Sequence, residues 1–344
     1  MNGYLITELP QDIFNAGFKA KNDVRTALSS LTDLTVKERF RFDKIPTFLR
    51  LLWRLGLLPK GATLYIQCPI YSFFNEKFVP ALCRVLEKRQ LRTVLIIHDV
   101  ESLRQPDKAA RLLPVERRLF DVADGLIVHN EAMKARLQTS HGVPAEKMTV
   151  LGIFDYLYDG DVAGADELFS RTVFVAGNLD PEKSGYAYRL GQLGGEVHIN
   201  LFGGHFNADA ATESIAYQGA FPPDELPQHL RGNFGLVWDG PVLDRCAGQT
   251  GDYLRINNPH KTSLYLAAGF PVIIWKQAAL APFITENGLG LAVDSLEELP
   301  ALFDTLTEEN YRRMVAQAAA YGARLRGGDF MRRAAEAAEE NIRH

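Results

Sequence analysis

The sequence predicts an α/β fold of two Rossmann-like, doubly wound domains that face a cleft. Short apolar runs rich in β-branched residues alternate with helix-like segments, which is typical of parallel strands joined by right-handed crossovers. This series is interrupted once, by the acidic, glycine-containing stretch 155–168, and then begins again. The chain has 344 residues, a length that fits two domains of roughly 150 residues each.

The first series occupies the N-terminal half of the chain. Its predicted strands are 64–70, 92–100, 125–130 and 147–154, and its predicted helices are 75–90, 110–123 and 131–142. Pro114 predicts a break in the second helix, and Gly142 is a helix stop signal. We therefore assign an N-terminal, acceptor-side domain to residues 1–158.

The second series follows the interruption, which we interpret as a linker. Its predicted strands are 171–178, 195–203, 214–219, 234–240 and 271–276, and its predicted helices are 224–232, 261–269 and 308–343. A second, nucleotide-binding domain is assigned to 169–325. We expect the C-terminal helix, 326–344, to pack back on the N-terminal domain.

Composition excludes several classes of protein. The net charge is −4 and the pI is near 6.1, which disfavours nucleic acid as a partner. Cys68, Cys83 and Cys246 show neither a disulfide framework nor zinc-ligand spacing, so we expect no metal and a reducing cytoplasm. The first residues do not resemble a signal peptide, and no stretch reaches the roughly 20 apolar residues of a membrane span.

Residues 45–61 form the longest apolar stretch, interrupted by Arg50 and Arg54. One interpretation is a buried amphipathic helix. The alternative is a basic, apolar face that makes peripheral contact with the inner membrane, as an enzyme acting on a lipid-linked acceptor would.

Polar residues at strand ends are the candidates for chemistry, because ligands of doubly wound sheets bind beyond the carboxyl ends of the strands. Gly177, Asn178 and Lys183 follow the first strand of the second domain, and Trp238 and Asp239 end a later one. Neither a Walker loop nor a GxGxxG fingerprint is present. An ordinary turn and a core tryptophan are the structural alternatives.

The run NNPHKTSLYLAAG, 257–269, is the strongest motif. Asn258 precedes Pro259 and should be extended, so that the four residues after the proline begin a helix. A helix N-terminus is a ready anion site, to which Lys261 adds a cation suited to phosphate. A capped helix with a solvated lysine is the alternative. The long loop before it, 244–256, is of the kind that often carries function.

In the N-terminal domain, His98 and Asp99 follow a buried strand and could supply a general base. Gly17, Lys19 and Lys21 are predicted to form a basic turn before a helix. The alternative for His98 and Asp99 is a pair that stabilises the turn after the strand. The alternative for the segment 15–23 is a helix start with solvated lysines. His129 and Asn130 are weaker strand-end candidates.

These segments resemble known families. NAGFKAKND, IIHDVESLR, AGNLDPEKS, FGLVWDG, CAGQTGDYLRINNPHKTSLYLAAGFPVIIW and ALAPFITENGLGLAVDSLEEL are similar to bacterial galactofuranosyltransferases of O-antigen assembly. They also resemble the glucosyltransferases that extend glycans on streptococcal serine-rich adhesins. Both families share the GT-B fold, and the adhesin-type enzymes suggest a homo-oligomer.

The resemblance implies a UDP-sugar donor bound without a metal or other cofactor. It implicates one set of residues around the donor: Ala16, Gly17, Asn178, Lys183, Phe221, Asn258, Pro259, His260, Lys261, Thr262 and Ser263. Lys19 in the predicted basic turn and Asp239 at its strand end join this set through their positions in the sequence. Phe221 would be a wall for the uracil. In the adhesin-type enzymes an arginine stands where this chain has Lys183. A guanidinium that can bind phosphate through two hydrogen bonds is thus replaced in this chain by an ammonium group that acts as a point charge.

The sequence therefore predicts an inverting galactofuranosyltransferase that uses UDP-galactofuranose and a saccharide acceptor, in the biosynthesis of lipopolysaccharide O-antigen. Asp99 is the expected base and His98 the second choice. A donor with glucose or another hexose is one alternative. The other is a non-catalytic subunit that binds a sugar nucleotide. A dinucleotide-dependent enzyme is disfavoured by the missing glycine fingerprint. The DGD triplet, 159–161, falls in the predicted linker and is not interpreted as a metal motif.

Overall fold

A computed structural model describes residues 3–9, 16–37, 43–194, 196–210 and 212–343. It divides into two compact units. The N-terminal unit joins Met1–Gly152 to Gly328–His344, and the C-terminal unit is Ile153–Gly327. The division falls a few residues before the predicted boundary at 158.

The N-terminal unit is a six-stranded parallel sheet covered by helices. Its strands are β1 (Tyr4–Ile6), β2 (Glu8–Leu9), β3 (Thr32–Asp33), β4 (Val36–Lys37), β5 (Thr63–Cys68), β6 (Arg92–Ile97), β7 (Gly125–Val128) and β8 (Met148–Val150). Its first six helices are α1 (Ala16–Ala27), α2 (Lys44–Gly56), α3 (Phe78–Arg89), α4 (Glu101–Arg104), α5 (Ala109–Val122) and α6 (Glu131–His141). The strand order is β3-β1-β5-β6-β7-β8, and β2 pairs separately with β4. Strands β5 to β7 are almost entirely buried, which explains their continuous apolar runs.

The C-terminal unit has a second six-stranded parallel sheet. Its strands are β9 (Thr172–Ala176), β10 (His198–Phe202), β11 (Ile215–Gly219), β12 (Phe234–Val237), β13 (Val272–Trp275) and β14 (Gly290–Val293). Its helices are α7 (Pro181–Arg189), α8 (Leu226–His229), α9 (Gly248–Tyr253), α10 (His260–Ala267), α11 (Ala281–Glu286), α12 (Leu299–Thr305) and α13 (Glu308–Gly327). The strand order is β11-β10-β9-β12-β13-β14. Chain order therefore reverses next to β9, and such reversals mark ligand sites in doubly wound sheets.

Two helix predictions were wrong. Helix α5 continues through Pro114, where the missing N–H of the proline removes one helical hydrogen bond. The tail is two helices, because Gly328 adopts a left-handed conformation with φ of 75° between α13 and α14 (Asp329–Asn341). Helix α14 belongs to the N-terminal unit, where Tyr65 donates a hydrogen bond to the carbonyl of Ala335.

The predicted linker is not a free connection. It has no helix or strand, and it lies against the C-terminal unit. Backbone amides of Ala163, Gly164 and Asp166 donate to carbonyls elsewhere in that unit, at Pro227, Ala268 and Gly232. Asn233, wholly buried in the same unit, accepts from the amides of Ser170 and Thr172 just after this segment. Most of its acidic residues are exposed: Asp159, Asp161, Asp166 and Glu167.

Candidate functional site

The segment after β12 and helices α7 and α9 meet at the carboxyl end of the sheet in the C-terminal unit. The amide of Gly240, after β12, donates to the carbonyl of Lys183, and the amide of Tyr186 donates to the carbonyl of Gly240. Both partners lie in α7, which follows β9. Helix α9 completes the arrangement, because a side chain at Gly251 would approach the carbonyl of Asp239 to 2.8 Å. The predicted loop 244–256 thus contains a helix, and glycine at position 251 allows this helix to pack on the end of β12.

Lys261 extends from the first turn of α10 to this point. Its Nζ donates to Asp239 Oδ1 at 2.7 Å and to the carbonyl of Trp238 at 2.9 Å. Burial alone would lower the pKa of Lys261, but the carboxylate of Asp239 holds it above the ordinary value. Lys261 is thus a half-buried cation paired with a carboxylate, and the alternative of a solvated lysine is wrong.

The start of α10 follows the geometry that the sequence predicts. Pro259 is extended, with ψ of 131°, and the helix runs from His260. Thr262 and Ser263 are buried, and no hydrogen-bond partner in the described part of the chain reaches the hydroxyl of Thr262. Asn258 is also buried. These side chains are therefore packed inside the unit at the helix start and are not exposed on its surface.

Tyr265 fastens α10 to the end of β9. Its hydroxyl accepts from the amide of Ala176 at 2.8 Å and donates to the carbonyl of the same residue at 3.2 Å. The ring fits because Gly235 in β12 has no side chain; a Cβ there would lie 2.3 Å from the ring. This buried bridge fixes the helix start relative to Gly177 and Asn178, and sequence reasoning missed it.

The other donor-side candidates follow β9 and β11 or begin α10. Asn178 is exposed, and its side chain accepts from the amide of Asp180, while the side chain of Lys183 is exposed. Phe221 stacks on His229 with ring centroids 3.9 Å apart, so one face of the predicted uracil wall is already covered. The ring of His260 packs 5.2 Å from Phe154.

In the N-terminal unit, Asp99 lies in a cluster of polar groups after β6. Tyr71 Oη donates to Asp99 Oδ2 at 3.2 Å, and Arg104 Nη1 donates to the same oxygen at 3.3 Å. Glu101 accepts from both of these groups. Burial raises the pKa of Asp99 to about 6, against the opposing effect of Arg104 and with the aid of Glu101. A carboxylate that titrates near neutrality suits a general base.

The imidazole of His98 is held by a hydrogen bond to the side-chain amide of Gln67. Gln67 Nε2 donates to Thr7 Oγ1 at 2.7 Å and to the carbonyl of Lys21 at 3.1 Å. Its Oε1 is therefore an acceptor, and His98 Nε2, 2.7 Å away, carries the proton. In a neutral His98 the basic nitrogen is therefore Nδ1, so a role of His98 as a base would use that atom.

The prediction of a basic turn at 15–23 was wrong. Helix α1 begins at Ala16, so Gly17, Lys19 and Lys21 are helical, and Asn15 and the side chain of Ala16 lie outside the described structure. Both lysines are buried. Lys19 Nζ donates to Asp23 Oδ1 at 2.5 Å, and Lys21 Nζ donates to the carbonyl of Pro69 at 2.7 Å. Neither alternative, solvated lysine or basic turn, describes them.

His129 and Asn130 have structural roles. Nε2 of the buried His129 is 3.0 Å from the carbonyl of Ile97, and burial lowers the pKa of His129 to about 4. The side chain of Asn130 accepts from the amide of Met133 and caps α6. Tyr71 and Arg104, by contrast, were missed. Tyr71 follows the end of β5 closely, so the strand-end argument could have found it.

Comparison with known proteins identifies the family. The N-terminal domain model of the glucosyltransferase 3-like family matches residues 3–153, and the C-terminal domain model matches 173–338. Beta-1,6-galactofuranosyltransferase WbbI of Escherichia coli (strain K12) is 31% identical over 337 residues, 96% of each chain. Glucosyltransferase 3 of Streptococcus gordonii is 28% identical over 79% of this chain and 78% of its own length.

Two solved structures show the same fold. A Listeria monocytogenes protein assigned as a UDP-N-acetylglucosamine 2-epimerase aligns over 97% of this chain and 95% of its own, with a TM-score of 0.51 and 12% identity. A chain of the GtfA/B complex aligns over 87% of this chain and 61% of its own, with a TM-score of 0.51 and 15% identity. The protein is therefore a glycosyltransferase built from the two Rossmann-like domains of the GT-B fold. It belongs to the glucosyltransferase 3-like family.

Proposed function

We propose that this enzyme transfers galactofuranose from UDP-galactofuranose to a saccharide hydroxyl, with inversion, in the assembly of O-antigen or a related cell-surface polysaccharide. The observation that carries the proposal is the 31% identity to WbbI, a beta-1,6-galactofuranosyltransferase, over 96% of both chains. Membership of an enzyme family speaks against the alternative of a non-catalytic subunit.

The segments at the carboxyl end of the sheet in the C-terminal unit support a nucleotide-sugar site. Lys261 brings a permanent cation to the N-terminus of α10, where the helix dipole already favours an anion. A diphosphate is the anion that a sugar nucleotide would place there. As UDP leaves, negative charge grows on the diphosphate, and this fixed positive charge would stabilise it without a metal ion.

The proposed reaction is a single in-line displacement. The acceptor hydroxyl attacks the anomeric carbon, the bond from that carbon to the diphosphate breaks, and UDP departs with the bonding electrons. The proton of the hydroxyl passes to a base, for which Asp99 is proposed because its pKa lies near 6. Tyr71 and Arg104 orient this carboxylate through hydrogen bonds to Oδ2.

A glucosyl donor is the second candidate. It is favoured by the identity of 28% over 79% of the chain to the glucosyltransferase 3 of Streptococcus gordonii, and of 24% over 80% to that of Streptococcus parasanguinis.

The identity of the donor is tested with a panel of UDP-sugars. We expect UDP release above background with UDP-galactofuranose, and at least tenfold less with UDP-glucose or UDP-galactopyranose, because the pocket must distinguish ring form as well as stereochemistry. The assay runs in a chelating buffer, since the proposed mechanism uses no metal. Turnover with UDP-glucose but not with UDP-galactofuranose would replace the first candidate by the second.

Arg104 is expected to set the pH dependence through Asp99. Its charge lowers the pKa of that carboxyl, so Arg104→Gln should raise the pKa above about 6. Since the base acts when deprotonated, kcat/KM falls as pH drops through the pKa. The acidic limb of the profile should therefore move to higher pH, by about one unit. Arg104→Lys keeps the charge and should keep the limb in place. Identical profiles for Arg104→Gln and the wild type would show that Asp99 is not the titrating base.

A further inference from the structure

Helix α2 has two apolar faces, and only one of them is covered by the part of the chain that the structure describes. Phe48, Leu51 and Leu55 are buried in the N-terminal unit. A second row, which we name the α2 stripe, consists of side chains that are 58–66% exposed: Ile45, Leu49, Trp53 and Leu57. Because these residues are four apart in a helix and its C-cap, they lie one above another in a continuous line.

The α2 stripe is unlike the rest of the described surface. Seven large apolar residues in the described part of the chain are exposed, and the other three, Tyr71, Leu168 and Tyr217, are far apart in sequence. Single exposed apolar side chains need no explanation, whereas a contiguous row marks an interaction surface.

The size of the stripe fits more than one kind of occupant. Four side chains exposed to this degree offer on the order of 400 Å² of apolar area. A protein interface of standard size buries roughly 800 Å² on each partner, of which a little over half is apolar, so area alone does not separate a second copy from a membrane. A narrow stripe of this area is sufficient for a helix that lies in the plane of a membrane.

The charges beside the stripe favour an anionic membrane. Arg50 is exposed and Arg54 half-buried on the flank of α2, and Lys60 is exposed just beyond its end. Asp43, at the start of the helix, is the one carboxylate of the segment 43–60. Tryptophan is the side chain most typical of the boundary between water and lipid, and Trp53 lies within the stripe.

We propose that the α2 stripe docks on an anionic lipid bilayer, with its four apolar side chains at the level of the acyl boundary and Arg50 and Lys60 next to lipid phosphates. No helix in the described part of the chain is long and apolar enough to span a bilayer, so the contact is peripheral. The proposal concerns this surface alone and holds whichever sugar the enzyme transfers.

Vesicle flotation of the full chain tests the proposal. We expect the protein to float with vesicles of phosphatidylcholine mixed with phosphatidylglycerol, and to remain unbound with phosphatidylcholine alone. The double variant Leu49→Ser with Trp53→Ser should lower the partition coefficient at least tenfold. Arg50→Gln should lower it about fivefold on anionic vesicles. The matched control is Leu168→Ser, which removes an equally exposed leucine from the C-terminal unit and should bind like the wild type.

Intrinsic fluorescence gives an independent measurement. The chain has three tryptophans, and Trp238 and Trp275 are wholly buried, so Trp53 is the only one of them exposed to solvent. Anionic vesicles should shift its emission to shorter wavelengths and protect it from an aqueous quencher. Trp53→Phe should bind the vesicles without that spectral change.

Three results would overturn the proposal. The first is that the protein does not bind anionic vesicles, and the second is that the double variant binds them as well as the wild type. The third is that the wild type does not bind vesicles but forms a concentration-dependent dimer in sedimentation, and that the double variant is monomeric. The last result would assign the stripe to a second copy. All substituted side chains are exposed, so melting temperatures should be unchanged; if the double variant melts early, Arg50→Glu replaces it as the deciding variant. Activity on a soluble acceptor is measured separately and reports on the donor proposal alone.

Discussion

Asp99→Asn is expected to lower kcat about a thousandfold while leaving the binding of UDP unchanged. An asparagine has the same shape and can still accept from Tyr71 and Arg104, but it cannot take a proton from the acceptor hydroxyl. Loss of a positioned general base typically reduces the rate by factors of 10² to 10⁴. The measurement is UDP release in the presence of acceptor, combined with calorimetric titration of UDP.

Asp107→Asn provides the matched control. It makes the same chemical change at an exposed residue shortly after the cluster and should retain wild-type turnover. If Asp99→Asn keeps more than a tenth of the activity, the base lies elsewhere, and His98 is the next residue to replace. In that event Gln67→Glu, which changes the hydrogen-bond partner of His98 Nε2, should alter the rate.

The fold could be predicted wherever the burial of an element determines the composition of its own residues. Strands β6 and β13 are continuous apolar runs because both faces of each sheet are covered. Strand β1 was missed because three residues are too few to show a pattern, and β14 because two of its four positions are half-buried. Both are strands through backbone pairing with a neighbour that is distant in sequence.

The candidate sites divide in a similar way. The start of α10 could be predicted because Pro259 restricts Asn258 and cannot itself continue a preceding helix. The partner of Lys261 could not, because Asp239 is 22 residues away and the pair forms only when β12 and α10 pack together. Lys19 was misjudged because its segment was not predicted to be helical: in α1, Asp23 lies one turn further on and accepts from it. Lys21 was misjudged for the same reason as Lys261, because its partner, the carbonyl of Pro69, is 48 residues away.

Lys261→Ala is expected to weaken the binding of UDP about a hundredfold and to reduce turnover with the sugar donor by at least as much. The variant removes the cation at the start of α10 and leaves the carboxylate of Asp239 without its partner, so that a negative charge faces the incoming diphosphate. The same loss should lower stability by on the order of 3 kcal/mol, since one half of a largely buried pair remains. Calorimetry with UDP and thermal unfolding measure the two effects.

A double variant separates the two roles of this lysine. Lys261→Met with Asp239→Asn removes both charges, so no carboxylate is left uncompensated and much of the lost stability should return. If Lys261 serves only to neutralise Asp239, UDP binding and turnover should recover along with stability. If its charge is needed by the diphosphate, stability should recover while UDP binding stays about a hundredfold weak. The second outcome is the one that the geometry of α10 favours, because the lysine is the cation that the first turn of this helix contributes. If stability and UDP binding both recover, the pair serves only to support the segment after β12. The proposed position of the diphosphate would then shift to Asn178 and Lys183.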